Sequence, residues 1–272
     1  MRLSNTRFDR NQRYWQDYLP YLQSLAGPGF PDCDQLNLLL NDDLSSAGGH
    51  TIRFVPSAEL DDDTAYERRI HNNGQVSTRP GNWHDLFNAL VWMRFPRIKA
   101  AMNSLHNKVC SDASVGTRGV QRDALTLFDE SGVIVFSQHG EPLDALLRRN
   151  WSEAFQTKTF HHQVHHVISG HAILEKYLTP YKSMTAKALM VKVNADVISL
   201  PREKLLMLLD EQLADLMLAG KILTNPACLT PLPLAGIPGW WPGHQQDDGF
   251  YADQQVFRPP PVQMTSATLI ML

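Results

Sequence analysis

The chain has 272 residues and a formal net charge of −3, from 25 Lys and Arg and 28 Asp and Glu. Hydrophobic residues make up 43% of it, which is enough to bury a core and excludes a chain that is disordered by composition. The nearly balanced charge argues against a broad nucleic-acid surface and against a polybasic membrane surface.

Cysteine usage and the N-terminus indicate the compartment. Cys33, Cys110 and Cys228 are far apart and form no CxxC pair, so we expect reduced thiols rather than disulfides or a zinc site. Residues 1–5 lead into polar sequence without the apolar segment of a secretory signal. No apolar run approaches the roughly 18 residues of a membrane-spanning helix. We therefore expect a cytoplasmic protein without a membrane partner.

In chain order, the first predicted elements are short. The helical spacing of aromatic and leucine side chains predicts a helix over residues 9–25. Asp32 is placed to cap a second helix. Residues 50–55 are predicted to form a strand that ends at Pro56.

A hairpin and the most strongly patterned helix follow. The Asn-Asn-Gly sequence at 72–74 predicts a tight turn between strands at 66–70 and 76–78. Asn82 is a good N-cap, and the apolar residues after it recur at the spacing of a core-facing helical stripe. We expect this helix to end near Pro96 and another helix to follow it.

A second hairpin is predicted between strands at 124–128 and 133–137. Asp129 and Glu130 are then turn residues, because Asp, Ser and Gly suit tight connections. Three further elements are predicted: a histidine-rich helix over 160–178, a strand over 188–193 and a helix over 199–220.

These elements predict an α+β fold, a helix-rich single domain with small β-hairpins. In this prediction residues 1–225 form the helix-rich body. Residues 226–272 are rich in Pro, Gly and Trp and form an irregular C-terminal extension packed on that body.

His171 and Glu175 are the strongest candidates for chemistry. In the predicted helix they lie four residues apart, within the core-facing arc of the apolar side chains. A buried carboxylate needs a hydrogen-bonding partner or a cation. The pair could therefore supply two metal ligands, or a general base and its orienting group. The alternative is a buried pair that only fixes helix packing.

A second candidate cluster lies at the start of the helix that Asn82 caps. His84 and Asn88 are one turn apart on the flank of its apolar stripe, at a helix N-terminus that favours an anion. Arg79 precedes this helix and could line the same cleft. The alternative is that Asp85 is an ordinary first-turn acid and His84 an ordinary residue at the core edge.

Arg122 and Asp123 precede a predicted apolar strand, where charge is less expected. They could clamp an acidic group. The alternative is a surface ion pair, which contributes little to stability.

Four histidines form the run His161-His162-Gln-Val-His165-His166. In a helix they make two i,i+4 pairs that could hold a transition metal. The alternative is a solvated histidine face, because metal ligands normally need buried groups behind them.

Several segments together resemble the bacterial family called domain of unknown function 3025. They are residues 79–92 (RPGNWHDLFNALVW), 122–130 (RDALTLFDE), 170–176 (GHAILEK), 236–240 (GIPGW) and 257–259 (FRP). The resemblance spans most of the chain and implies no activity. It includes the polar clusters named above but not the four-histidine run.

Two classes of function fit these clusters. The first is a metal-assisted hydrolase acting on a small anionic substrate, with phosphoesters as one such substrate. Its predicted metal ligands and catalytic residues are His84, Asp123, His171 and Glu175, around a divalent cation. Its predicted substrate-binding residues are Arg79, Asn88 and Arg122.

The second class is a module that binds a small anionic ligand or a protein partner in the same cleft without chemistry. Trp240 and Trp241 would then form a contact surface, although a segment packed on its own core has the same composition. A structural scaffold is a third alternative. The motifs of P-loop NTPases, Rossmann dehydrogenases, serine hydrolases and zincin proteases are absent.

Overall fold

The computed structural model has the predicted fold class, a helix-rich α+β domain with small sheets. It describes residues 11–27, 29–40, 44–60, 65–111, 117–156, 162–241, 247–260 and 269–272. Within these residues no helix combines the length and the apolar character needed to cross a bilayer.

The strands form a small parallel pair and a larger mixed sheet. The pair is β1 (Arg53–Pro56) with β2 (Gln75–Thr78). The larger sheet contains β3 (Gly132–Ser137), β4 (His165–Ile168), β5 (Thr185–Lys192), β6 (Thr230–Pro233) and β7 (Ile270–Met271). Its order is β4-β3-β5-β6, with β7 also paired to β5. All six residues of β3 are buried, which explains why residues 133–136 are continuously apolar rather than alternating.

Helices surround these sheets. They are α1 (Leu19–Ser24), α2 (Cys33–Asn37), α3 (Tyr66–Asn73), α4 (Trp83–Arg94), α5 (Pro96–Ser111), α6 (Thr117–Ser131), α7 (Gly140–Leu147), α8 (Trp151–Gln156), α9 (His171–Lys176), α10 (Ala195–Ile198), α11 (Arg202–Leu218) and α12 (Asp248–Tyr251). In the core, α4 packs against α9, and α5 packs against α6 and α11.

The predicted helix caps are confirmed. The Asn82 side chain accepts a hydrogen bond from the backbone N–H of Asp85 (3.0 Å) and starts α4. The Asp32 side chain caps α2 in the same way. The helix predicted over 199–220 is α11, and the strand predicted over 188–193 corresponds to β5. These signals are local, so the sequence alone contains them.

The first predicted hairpin is wrong. Residues 66–73 form helix α3, and Gly74 ends it with a left-handed backbone (φ 69°). β2 then runs parallel to β1 instead of returning along residues 66–70. The positive φ of an Asn-Gly pair serves a helix C-terminus as well as a hairpin turn, and the neighbouring sequence did not distinguish them.

The second predicted hairpin is also wrong. Residues 124–131 continue helix α6, and β3 begins directly after it at Gly132. The buried residues Ala124, Leu125 and Phe128 form a helical stripe, but so short an apolar run also fits a strand. Asp129 and Glu130 therefore belong to the last turn of a helix and not to a connecting turn.

The predicted histidine-rich helix over 160–178 is wrong as well, because it is divided into β4 and α9. His165 and His166 are consecutive strand residues that face opposite sides of the sheet, so they do not form the helical pairs that the sequence predicted. His161 lies outside the described residues.

A close approach of two glycines fixes the start of α9. The backbone N–H groups of Ser169 and Gly170 both donate to the carbonyl oxygen of Gly132 (3.0 and 2.9 Å). A Cβ atom on Gly170 would lie 2.3 Å from the backbone nitrogen of Gly132. Only a glycine therefore allows the N-terminus of α9 to contact the C-terminus of α6.

Part of the segment predicted as an irregular extension over 226–272 is regular. β6 pairs antiparallel with one end of β5, and β7 pairs parallel with the other end. The two strands therefore complete the larger sheet. The domain boundary at residue 226 stays a prediction.

Asp210 of α11 caps α5 from the neighbouring helix. Its carboxylate accepts hydrogen bonds from the backbone N–H groups of Arg97 (3.0 Å) and Ile98 (2.8 Å). Burial raises the pKa of Asp210 to about 6, although these hydrogen bonds oppose the rise. The folded protein therefore binds this proton more tightly than the unfolded chain, whose aspartates have a pKa of about 4.

We expect the stabilising contribution of Asp210 to be complete below about pH 4 and to be lost as the pH rises through 6. Relative to Asp210→Asn, the free energy of unfolding of the wild type should fall by up to about 3 kcal/mol across this range. Urea unfolding at several pH values measures this difference. Asp215→Asn, at an exposed position of the same helix, is the control and should follow the wild type. Parallel pH profiles for the wild type and Asp210→Asn would contradict the prediction.

Candidate functional site

A polar cleft of about 310 Å³ lies where α3, α4, α5, α6 and α9 meet. Its lining residues are Tyr66, Glu67, Ser77, Arg79, His84, Asp85, Asn88, His106, Arg122, Thr126, Asp129, Glu130 and His171. Polar and charged side chains dominate the lining, which is the composition of a site for chemistry or for a polar ligand rather than for an apolar one.

Two imidazole rings meet at the inner end of the cleft. His84 belongs to the first turn of α4, and His171 is the first residue of α9. Their Nε2 atoms are 2.9 Å apart, and the rings meet edge to face. This contact depends on the packing of α4 against α9, together with the glycine contact that fixes the start of α9.

Three carboxylates lie within 4 Å of nitrogen atoms of the two rings. Glu175 Oε2 is 3.0 Å from His84 Nδ1, and Asp129 Oδ1 is 3.8 Å from the buried Nδ1 of His171. A third carboxylate belongs to Glu130, whose Oε2 is 3.6 Å from His171 Nε2. One ligand atom from each of His84, Glu130 and His171 fits within 4.8 Å of the others.

This arrangement has the features of a metal site. Two histidines and one carboxylate are a recurring ligand set for zinc and for non-heme iron. Metal-binding histidines usually direct their second ring nitrogen to a carboxylate or a carbonyl group, which orients the ring. In this cleft the carboxylate beside the second ring nitrogen, Nδ1, of His84 is that of Glu175. The carboxylate nearest to Nδ1 of His171 is that of Asp129.

The protonation states agree with metal binding. Burial lowers the pKa of His171 to about 4, so its imidazole is neutral at pH 7, which is the form that binds metals. Burial also raises the pKa of Glu130. A nearby cation favours the ionised form of such a carboxylate, which burial alone disfavours. The cluster thus combines the neutral imidazole of His171 with the Glu130 carboxyl group, whose negative charge the surrounding protein does not fully stabilise.

A buried lysine, Lys99, forms an ion pair with Asp129, next to the two histidines. Lys99 is only 5% exposed, and its Nζ donates to Asp129 Oδ1 (2.6 Å) and to Asn88 Oδ1 (2.9 Å). Burial alone would raise the pKa of Asp129, but Lys99 and then His171 hold it below its usual value. Asp129 is therefore ionised at neutral pH and paired with a buried cation.

An exposed arginine is fixed at the mouth of the cleft. The guanidinium of Arg79 donates to both carboxylate oxygens of Asp85 (2.9 and 2.7 Å), and its backbone N–H donates to the same group (2.7 Å). The side chain of Arg79 is 57% exposed. Asp85 is therefore more than a first-turn acid, because it anchors a cation that lines the cleft.

The structure brings most of the predicted site residues together. His84 contacts both His171 and Glu175, and Arg79, Asn88 and Arg122 line the cleft. The side chain of Glu175 is 41% exposed and contacts the outer nitrogen of His84, so the prediction of a core-facing acid is wrong. The roles assigned to these residues stay predictions.

Asp123 is the exception. It is exposed on α6, about two turns before Glu130, and is not among the described residues that line the cleft. The acids that α6 contributes are Asp129 and Glu130, which the hairpin prediction had placed in a turn. Recognising the stripe of Ala124, Leu125 and Phe128 as helical would have found them, because they continue the same helix.

Comparison with known proteins agrees with the resemblance in the sequence. The family model described as Protein of unknown function (DUF3025) matches residues 52–260, a range that includes every residue lining the cleft. No curated protein and no solved structure matches the chain.

Proposed function

Since the chain belongs to the family described as Protein of unknown function (DUF3025), its activity has to be inferred from the cleft, and we propose a metal-assisted hydrolase acting on a small anionic substrate. Phosphoesters are the proposed substrate class. The observation that supports this function is the convergence of His84 Nε2, His171 Nε2 and a Glu130 carboxylate oxygen.

In this proposal His84, His171 and Glu130 hold one divalent cation. Three protein ligands leave further coordination positions, as in catalytic rather than structural metal sites. The cleft of about 310 Å³ gives a small substrate access to those positions. Glu175 orients His84 and does not bind the cation, which changes the ligand set that the sequence predicted.

The chemistry follows from what a divalent cation does to water. A bound water has a lowered pKa and is available as hydroxide near neutral pH. The hydroxide would attack phosphorus as the bond from phosphorus to the ester oxygen breaks, and the leaving alkoxide would take from solvent a proton equivalent to the one that the water released. Arg122 lines the cleft and supplies positive charge for the substrate, whereas the charge of Arg79 is already matched by Asp85.

Glu130→Gln tests the proposal, with Asp123→Asn as a matched control that removes an exposed acid from the same helix. The proteins are purified without a histidine tag, their metal content is measured, and Zn²⁺ and Mn²⁺ affinities are determined by titration. We expect about one ion per chain in the wild type and the control. In Glu130→Gln we expect an affinity lower by more than about a hundredfold, because a ligand is lost and not only a group that orients one.

Turnover is measured on a panel of phosphomonoesters and phosphodiesters with each metal. Hydrolysis by the wild type and by Asp123→Asn, lost in Glu130→Gln, supports the function. Equal metal affinities in all three proteins refute the ligand set. Metal binding without turnover of any panel member refutes the hydrolase and favours a module that binds an anionic ligand.

A further inference from the structure

Two successive hydrogen bonds, each with a fixed donor, connect buried Lys99 through Asn88 to Tyr66 in the cleft. An ammonium group donates and never accepts, so its contact with Asn88 requires the oxygen of that amide to face Lys99. The amide nitrogen of Asn88 then faces Tyr66 and donates to its hydroxyl oxygen (2.8 Å). The buried cation thus determines that Tyr66 accepts at this contact.

The hydroxyl hydrogen of Tyr66 is left for a ligand. Tyr66 lines the cleft and is 40% exposed, and among the described residues no acceptor for this hydrogen is found. Burial raises the pKa of Tyr66, so the hydroxyl keeps its hydrogen at neutral pH. A hydroxyl whose oxygen already accepts from an amide is a directed donor into the cleft.

We propose that Tyr66 binds the substrate by donating a hydrogen bond from its hydroxyl to an oxygen of the phosphate group. This inference rests on the proposed function and specifies how the same cleft holds its anion. Asn88 is then a positioning residue, because it is only 8% exposed and both its Oδ1 and its Nδ2 are engaged within the protein.

The first test is binding of inorganic phosphate to Tyr66→Phe, measured by calorimetry on metal-loaded and on metal-free protein. Tyr181→Phe is the matched control, since Tyr181 is exposed and is not among the cleft residues. A hydrogen bond to a charged group predicts a loss of phosphate affinity of at least about tenfold in Tyr66→Phe. Metal affinity should be unchanged in both variants.

Asn88→Asp provides a second test that keeps the hydroxyl. A carboxylate can only accept, so Tyr66 must turn its hydrogen toward position 88 and away from the phosphate. We expect weaker phosphate binding in this variant. The loss should be smaller when Asn88→Asp is made in the Tyr66→Phe background, because the two changes act on one hydrogen bond.

The outcomes separate this inference from the metal site. Wild-type phosphate affinity in Tyr66→Phe overturns the role of Tyr66 while metal binding stands. Absence of phosphate binding to the wild type, both with and without metal, also overturns it. Phosphate binding to metal-free wild type that is lost in Tyr66→Phe supports the role of Tyr66 even where the metal proposal fails.

Discussion

Glu175→Gln is expected to weaken metal binding by about ten- to a hundredfold without removing a ligand atom. The carboxylate of Glu175 lies 3.0 Å from His84 Nδ1 and can only accept, so it keeps the proton on Nδ1 and leaves Nε2 available for the metal. An amide carries no charge and can donate as well as accept. The variant therefore weakens both the orientation and the basicity of His84.

Competition with a chromophoric chelator measures this change, with Glu130→Gln and Asp123→Asn examined in parallel. The expected order of affinity is Asp123→Asn, equal to wild type, then Glu175→Gln, then Glu130→Gln. A loss in Glu175→Gln as large as that in Glu130→Gln would mean that Glu175 is itself a ligand, as the sequence predicted. Wild-type affinity in Glu175→Gln would mean that it does not orient His84.

The fold shows which structural signals are local in the sequence. The caps at Asp32 and Asn82 were predicted correctly because a cap and the backbone that it satisfies lie within one helical turn. Residues 66–70 and 124–128 were predicted as strands because their apolar runs are short enough to fit either period, whereas the structure includes them in helices α3 and α6. For such runs the tertiary packing decides between helix and strand.

The site shows the same limit at longer range. His84 and His171 were recognised from their own helices, but their contact requires α9 to begin at the glycine pair that joins it to α6. Nothing in the spacing of either segment specifies that contact. Glu130 was missed for the same reason, because its role appears only once α6 is extended to the residue before β3.

Asp129→Asn is expected to be the most destabilising of the proposed substitutions outside the metal ligands. Lys99 is almost fully buried, and Asp129 is the carboxylate to which its ammonium donates. Removing one member of a buried ion pair leaves an uncompensated charge and costs about 3 kcal/mol or more. For a chain of this length, that cost corresponds to a melting temperature lower by roughly 10 °C.

The double variant Lys99→Met/Asp129→Asn distinguishes an uncompensated charge from a general loss of packing. Because the double variant contains no unpaired buried ammonium, it should be more stable than Asp129→Asn alone. Glu211→Gln removes an acid from the exposed pair with Arg97 and should cost less than about 1 kcal/mol. Thermal unfolding of the wild type and these three variants at pH 7 compares their melting temperatures. If the double variant is no more stable than Asp129→Asn, the buried charge of Lys99 is not the cause of the instability. In that case the hydrogen bonds from Lys99 through Asn88 to Tyr66 are not directed by a buried cation.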